Sequence, residues 1–71
     1  MSEEVKLFDV VIVDFNTKVV SAIIGTCMER NSAEYRQMTG LGRINENYDV
    51  EIVDHKRGLK VGDSLIEQVN I

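Results

Sequence analysis

The sequence contains one cysteine, Cys27, and one histidine, His55, and these residue types often carry nucleophilic and proton-transfer chemistry. A catalytic cysteine needs a neighbouring base or cation that favours its thiolate. Cys27 falls on the apolar stripe of a predicted helix, whereas His55 follows in a different element, and nothing in the sequence indicates that they meet. We therefore interpret Cys27 as a buried structural cysteine and His55 as an exposed residue at a strand end.

Carboxylates beside these residues could suggest acid–base catalysis or a metal site. Asp54 and His55 are neighbours, however, and adjacent strand residues point to opposite faces of a sheet. Asp9 and Asp14 should face apart too, because an odd spacing of five reverses the side of the strand. One histidine and one cysteine cannot complete a nitrogen–sulfur zinc site in one chain, although a dimer could bring two copies of each together. We predict no catalytic residue, no metal ligand, no cofactor and no enzymatic activity.

The segment MTGLGR, residues 38–43, places two glycines ahead of an arginine, which could begin a phosphate-binding loop. Such a loop has to open a helix, so that free backbone N–H groups converge on the anion. Here the glycines follow a predicted helix and precede RINEN. Gly40 stands where helices commonly end on a left-handed residue, and we interpret it as that helix end.

The chain has 12 acidic and 8 basic residues, a formal net charge of −4. Direct binding to nucleic acid depends on lysine and arginine, so the composition argues against it. Residues 45–54 contain four acids and no base, and Glu67 lies in the last predicted strand. The predicted partner-binding residues are Glu46, Asp49, Glu51, Asp54 and Glu67. The alternative is that these carboxylates are simply the solvated face of a half-buried sheet.

These observations predict a small acidic protein that binds a basic protein surface. Its sharpest form is an inhibitor that imitates the phosphate charge of DNA and occupies a nucleic-acid-binding protein, as small bacteriophage proteins do. Duplex DNA carries one charge per about 1.7 Å of axis, so convincing mimicry would need a homodimer that aligns two acidic patches. The alternative is an adaptor that recognises a protein through an apolar groove or a sheet edge.

Two segments have clear strand patterns. KLFDVVIVDF, residues 6–15, is rich in β-branched and aromatic residues, with apolar groups on both faces. NYDVEIVDH, residues 47–55, alternates between an inward apolar face and an outward face that carries Asp49 and Glu51. We predict strands over both.

Helical spacing predicts two helices between these strands. The first, over residues 16–31, begins at Asn16 or Thr17 as the N-cap. The second, over residues 31–40, begins at Asn31, and Glu34 completes a capping box. The apolar stripe of the first predicted helix comprises Val20, Ile23, Ile24, Cys27 and Met28.

Residues 64–71 close the chain, and their alternation favours a strand over the alternative of a short helix capped by Asp63. The predicted fold is therefore α+β in the order β-α-α-β-β: a three-stranded, largely antiparallel sheet with two helices on one face. Residues 1–4 are predicted to be a flexible N-terminus, and 5–71 a single domain. The apolar runs are too short to span a membrane, and a cytoplasmic location is expected.

Two segments resemble parts of known families. FDVVIVDFNTKVVSAI is similar to the opening strand and helix of the C-terminal domain of the ribosomal stalk protein. That resemblance implies a protein-interaction module, but the basic helix that follows T-G-L-G in the family is replaced here by RINEN. RGLKVGDSLIEQVN is similar to a turn and strand near the C-terminal end of PDZ domains.

Overall fold

The computed structural model describes residues 6–66, which fold into a three-stranded sheet with one helix. The elements are β1 (Phe8–Asp14), β2 (Val20–Met28), α1 (Arg30–Leu41) and β3 (Tyr48–Asp54), and a 3-10 helix (His55–Arg57) follows. Both pairings are antiparallel, and the strand order is β2-β1-β3. The prediction of an α+β fold with a three-stranded antiparallel sheet is confirmed. The predicted order β-α-α-β-β and its two helices are not confirmed, because the described residues contain one α-helix and a 3-10 helix.

The central strand β1 is apolar on both faces because each face is covered. One face packs under α1, in a cluster centred on Val10, Ala33 and Val50. The other face carries Val11 and Val13, which pack with Val20, Leu59 and Leu65. The strand pattern of residues 6–15 therefore predicted the two-sided burial, and the segment after β3 provides the second cover.

The helix predicted over residues 16–31 is wrong, because a tight turn sends this segment back along β1 as a strand. The Asp14 carboxylate accepts the backbone N–H groups of Asn16 at 2.8 Å and Thr17 at 3.0 Å. Lys18 then adopts a left-handed conformation with φ of 61°, and Asp14 N–H donates to Val19 C=O at 3.0 Å. Donation from Thr17 and then from Asn16 lowers the pKa of the Asp14 carboxyl from its ordinary value. Asn16 therefore belongs to the turn that starts a hairpin and does not cap a helix.

Strand pairing also explains why the apolar residues of β2 were misread. Val20, Ile23 and Ile24 fit a helical stripe, but β-branched residues also suit a pleated sheet. Val20 pairs with Val13, and Ile23 pairs with Val11, with irregular register between them. The irregularities shift which residues face each side, so the apolar spacing of this strand does not follow a strict period of two. The stalk-protein resemblance therefore fails at its helix.

The helix α1 confirms the second predicted helix, but its ends and its buried side differ from expectation. Its N-cap is Glu29, without a side-chain cap bond, and not Asn31. Gly40 lies inside the helix and is buried, so it is not a left-handed end. A Cβ at Gly40 would lie 3.0 Å from Ile24 Cδ1, so the glycine lets the helix approach the sheet closely. Tyr35 and Met38 are exposed.

The segment after β3 crosses the sheet and returns to β2. Val20 N–H donates to Asp63 C=O at 2.8 Å, and Gly62 N–H donates to Val20 C=O at 2.8 Å. Ser64 forms a single antiparallel bridge with Val19. Leu65 and Ile66, which were predicted to continue a strand, form a bend. The rest of the predicted terminal strand, including Glu67, and the predicted flexible N-terminus over 1–4 lie outside the described residues. Within 6–66, α1 falls short of the length and apolarity that crossing a membrane would require.

Candidate functional site

The sheet brings together Cys27, His55 and Asp9, which are distant in sequence. Between the pairs Phe8–Met28 and Val10–Gly25, β2 has two residues, Thr26 and Cys27, opposite the single residue Asp9 of β1. This is a β-bulge, and it leaves Cys27 in a left-handed conformation with φ of 53°. Such a conformation is uncommon for a residue with a side chain. The bulge turns Cys27 away from the apolar face, and Cys27 is exposed. The prediction that Cys27 is buried is wrong.

His55 reaches the same place from the end of β3. Its N–H donates to Leu7 C=O at 3.0 Å, which extends the pairing of β1 and β3 by one residue. Its ring Nδ1 lies 2.8 Å from Asp9 Oδ1. Because a carboxylate oxygen only accepts, Nδ1 carries the hydrogen of this bond. Asp54 and His55 do not face each other, since Asp54 pairs with Phe8. The carboxylate that binds the His55 ring is that of Asp9.

The Cys27 sulfur lies 3.2 Å from His55 Nε2 and 3.7 Å from Nδ1. A sulfur in line with the Nε2 lone pair would be much farther from Nδ1 than from Nε2. The similar distances therefore place the sulfur beside the face of the imidazole ring. In this position a thiolate would interact with the charge of a protonated ring, and the Nε2 lone pair does not point at the sulfur.

Asp9 connects the three strands and is 4% exposed. Its Oδ1 accepts both the His55 ring and the backbone N–H of Cys27, the latter at 3.1 Å. These bonds compensate the cost of burying a carboxylate. The sequence carried one signal of this role, an acid within an otherwise apolar central strand, but its partners depend on the pairing of strands distant in sequence.

The predicted acidic residues do not all lie together. Asp49 and Glu51 share the face of β3 that also carries Val53, because they pair with Val13 and Val11 of β1. Asp54 pairs with Phe8 on the opposite face, accepts Lys56 N–H at 2.9 Å and lies 4.0 Å from the Lys6 ammonium.

Of the other two predicted residues, Glu46 is exposed in the turn before β3 and Glu67 lies outside the described residues. The structure therefore brings Asp49 and Glu51 to one surface and leaves Asp54 on another.

The pKa of Glu51 reflects its position on this surface. Partial burial raises the pKa of its carboxyl, and the negative charge of Asp49 raises it further, while the Lys18 ammonium opposes both effects. Lys18 also lies over the ring of the exposed Phe15, 5.1 Å from the centroid. Lys18 thus interacts both with the Phe15 ring and with the Glu51 carboxylate.

The outer edge of β3 is partly closed by side chains. Gln37 of α1 donates to Val50 C=O at 2.9 Å, and Asp49 Oδ1 accepts Val50 N–H at 2.8 Å. These bonds occupy the backbone groups of Val50 that a further strand would use, so they oppose strand addition at this residue.

A cleft lies between the end of α1 and the sheet. Its apolar floor includes Ile12, Ile24 and Ile44, and Arg36 and Arg43 line it as well. Within residues 6–66 there is no group of three or more histidine, cysteine, aspartate or glutamate residues arranged to hold a metal ion. Comparison of the chain with protein-family models, curated proteins and solved structures found no match.

Proposed function

We propose that the protein is a non-enzymatic binding protein whose acidic edge contacts a basic protein surface. The acidic edge is defined by Asp49 and Glu51 of β3 together with the exposed Phe15 that follows β1. The observation that carries this proposal is the like-charge pair: two carboxylates are held on one surface, and Glu51 is half-buried beside Asp49.

A cationic partner would relieve the unfavourable electrostatics of this pair. Burial and the Asp49 charge both raise the pKa of Glu51, which means that both disfavour its charged form. Lys18 offsets only part of this effect. A lysine or arginine from a partner would supply the missing positive charge, and a guanidinium could bind a carboxylate through two hydrogen bonds. Binding would then be favoured because it relieves the electrostatic repulsion and the desolvation of Glu51 in the free protein.

Phe15 supports the same class of partner. It is 55% exposed, and it already has the Lys18 ammonium over its ring. An aromatic face attracts a further cation electrostatically, and a planar guanidinium also stacks on it. An arginine-rich surface therefore suits the acidic edge better than a surface that carries only lysine.

Inhibition of a nucleic-acid-binding protein by DNA mimicry is the narrower version of this function. Two grouped carboxylates are few beside a duplex with one charge per about 1.7 Å of axis. A homodimer that aligned two acidic edges would bring the charge closer to that density. This version predicts that duplex DNA competes with the protein for its partner.

Titration calorimetry with a nona-arginine peptide at low ionic strength tests the proposal. The double variant Asp49→Asn with Glu51→Gln removes both charges and keeps the oxygen at 49 that accepts Val50 N–H. If each carboxylate contributes up to about 1 kcal/mol, the affinity should fall by roughly five- to thirtyfold.

The matched control is Glu29→Gln with Glu34→Gln. Both residues are exposed, and the control removes the same two charges elsewhere on the protein. Its affinity should stay within about twofold of the wild type, because the acidic edge is unchanged. Equal losses in the two double variants would mean that the peptide responds only to net charge, and the acidic edge would then have no special role.

Ionic strength separates this function from the adaptor alternative. Charge-dominated binding weakens steeply as salt screens exposed charges, whereas binding in the cleft near Ile12 and Ile24 should depend far less on salt. Arg36 and Arg43 beside that cleft would also repel a basic partner. A partner whose affinity is insensitive to salt would favour the adaptor hypothesis.

A further inference from the structure

We propose that Cys27 is a reactive thiol and that it is a site of reversible modification by small-molecule disulfides. The grouping of Cys27, His55 and Asp9 carries this inference, and it is independent of the acidic edge. The thiol is exposed, its sulfur lies 3.2 Å from His55 Nε2, and the ring is held 2.8 Å from a buried carboxylate.

Each residue has a distinct part in the reaction. The ring of His55 lies against the sulfur, and a protonated ring at this distance would attract the thiolate, which is the nucleophilic form of cysteine. Asp9 is a positioning residue: its carboxylate fixes the ring through Nδ1 and stabilises the positive charge of the imidazolium. The same carboxylate holds the backbone of the bulge through Cys27 N–H, 3.1 Å from Oδ1. One buried group thus sets the position of both thiol and ring.

The reaction exchanges one disulfide for another. The Cys27 thiolate attacks one sulfur of a small disulfide, a new bond forms to Cys27 Sγ, and the original sulfur–sulfur bond breaks. Cys27 is oxidised, and the departing sulfur is reduced and leaves as a thiolate, which takes a proton from His55 or from water. The sequence has no second cysteine to resolve the adduct within the chain. The mixed disulfide therefore persists until an external thiol reduces it.

Disulfide exchange fits this site better than acyl transfer does. Acyl transfer requires N–H donors directed at the oxygen that becomes negatively charged in the transition state. The backbone N–H of the nucleophile is a common donor of this kind, but the Cys27 N–H is already bound to Asp9. A disulfide has no carbonyl oxygen and needs no such donor. Exposure of the sulfur also suits a small reagent that approaches from solvent.

The test measures the rate at which Ellman's reagent, an aromatic disulfide, modifies Cys27 at neutral pH. The native protein is compared with the same chain in denaturant, which provides the rate of an unassisted thiol. An ordinary cysteine is only a few per cent thiolate at pH 7, and a stabilised thiolate is somewhat less nucleophilic. The native thiol should therefore react about five- to twentyfold faster, and mass spectrometry should show one adduct that an added thiol removes.

Two variants separate activation from exposure. His55→Gln should bring the native rate down to about that of the unfolded chain, while Lys56→Gln removes a neighbouring exposed positive charge and should leave the rate within about twofold of the wild type. A native wild-type thiol that reacts no faster than the unfolded chain would overturn the inference without any variant. So would a folded His55→Gln protein with an unchanged rate.

Discussion

The ring of His55 and the carboxylate of Asp9 are 46 positions apart in sequence, yet Nδ1 and Oδ1 lie 2.8 Å from each other. The antiparallel register of β1 and β3 places Asp9 opposite Val53, two residues before the histidine. The backbone bond between His55 N–H and Leu7 C=O then holds the histidine at this end of the sheet. The pair is thus a consequence of strand register.

Asp9 is expected to be important for stability as well as for the thiol site. Asp9→Ala would leave the Cys27 N–H without its acceptor and the His55 ring without its anchor, so we expect a loss of about 2 to 4 kcal/mol in the free energy of unfolding. Asp9→Asn retains an acceptor oxygen and should lose less. Urea unfolding measures both, and equal stability of the two variants would contradict the role assigned to the oxygen.

Glu51→Gln should stabilise the protein at pH 7 while it weakens binding to a basic partner. The folded-state pKa of Glu51 is raised, so the native protein holds its proton to higher pH than the unfolded chain does. Above the folded-state pKa, the charged carboxylate therefore lowers the free energy of unfolding. This destabilisation disappears as the pH falls to the ordinary pKa. The advantage of Glu51→Gln should shrink over the same range. The free energy of unfolding, measured from pH 7 to pH 4, tests this prediction. Glu34→Gln, at an exposed position, is the control and should change little over the same range. A stabilisation by Glu51→Gln that grew as the pH fell would contradict the prediction.

Gly40 should tolerate a side chain poorly because α1 lies close to β2 and β3 there. A Cβ would already lie 3.0 Å from Ile24 Cδ1 and 3.4 Å from a methyl of Val50. Gly40→Leu should lower the free energy of unfolding by about 1 to 3 kcal/mol through overpacking.

The control for this substitution is Gly42→Leu. Gly42 is exposed at the helix end, and its added Cβ would make only an ordinary contact. Thermal or urea unfolding compares the two variants. A similar loss in both would indicate that chain flexibility, and not the close packing of Gly40, determines the cost.

The local signals in the sequence predicted three of the four main elements. The strands around Val10 and Val50 and the helix around Ala33 follow from residue type and periodicity. The structure of residues 16–28 could not be predicted in this way, because Val20, Ile23 and Ile24 fit both a helix and a strand. The turn at Asp14 and the pairing with β1 determine that this segment is a strand. Local spacing could not supply that pairing.

The two candidate sites, the acidic edge and the thiol site, differ in how far the sequence could predict them. Asp49 and Glu51 share a face because side chains alternate along a strand, and this required only the correct assignment of β3. The meeting of Cys27 with His55 required the pairing of three strands and a bulge that adds one residue to β2. A single inserted residue reverses the side of a strand that a side chain faces, so the position of Cys27 could not be read from its spacing.

NMR distance measurements on the native protein would test the strand pairing and the thiol site together. We predict cross-strand contacts between Val11 and Ile23, and contacts between the Cys27 β-protons and the ring protons of His55. Consecutive amide–amide contacts through residues 17–28, without any contact between Cys27 and His55, would indicate a helix in place of β2 and would contradict the account.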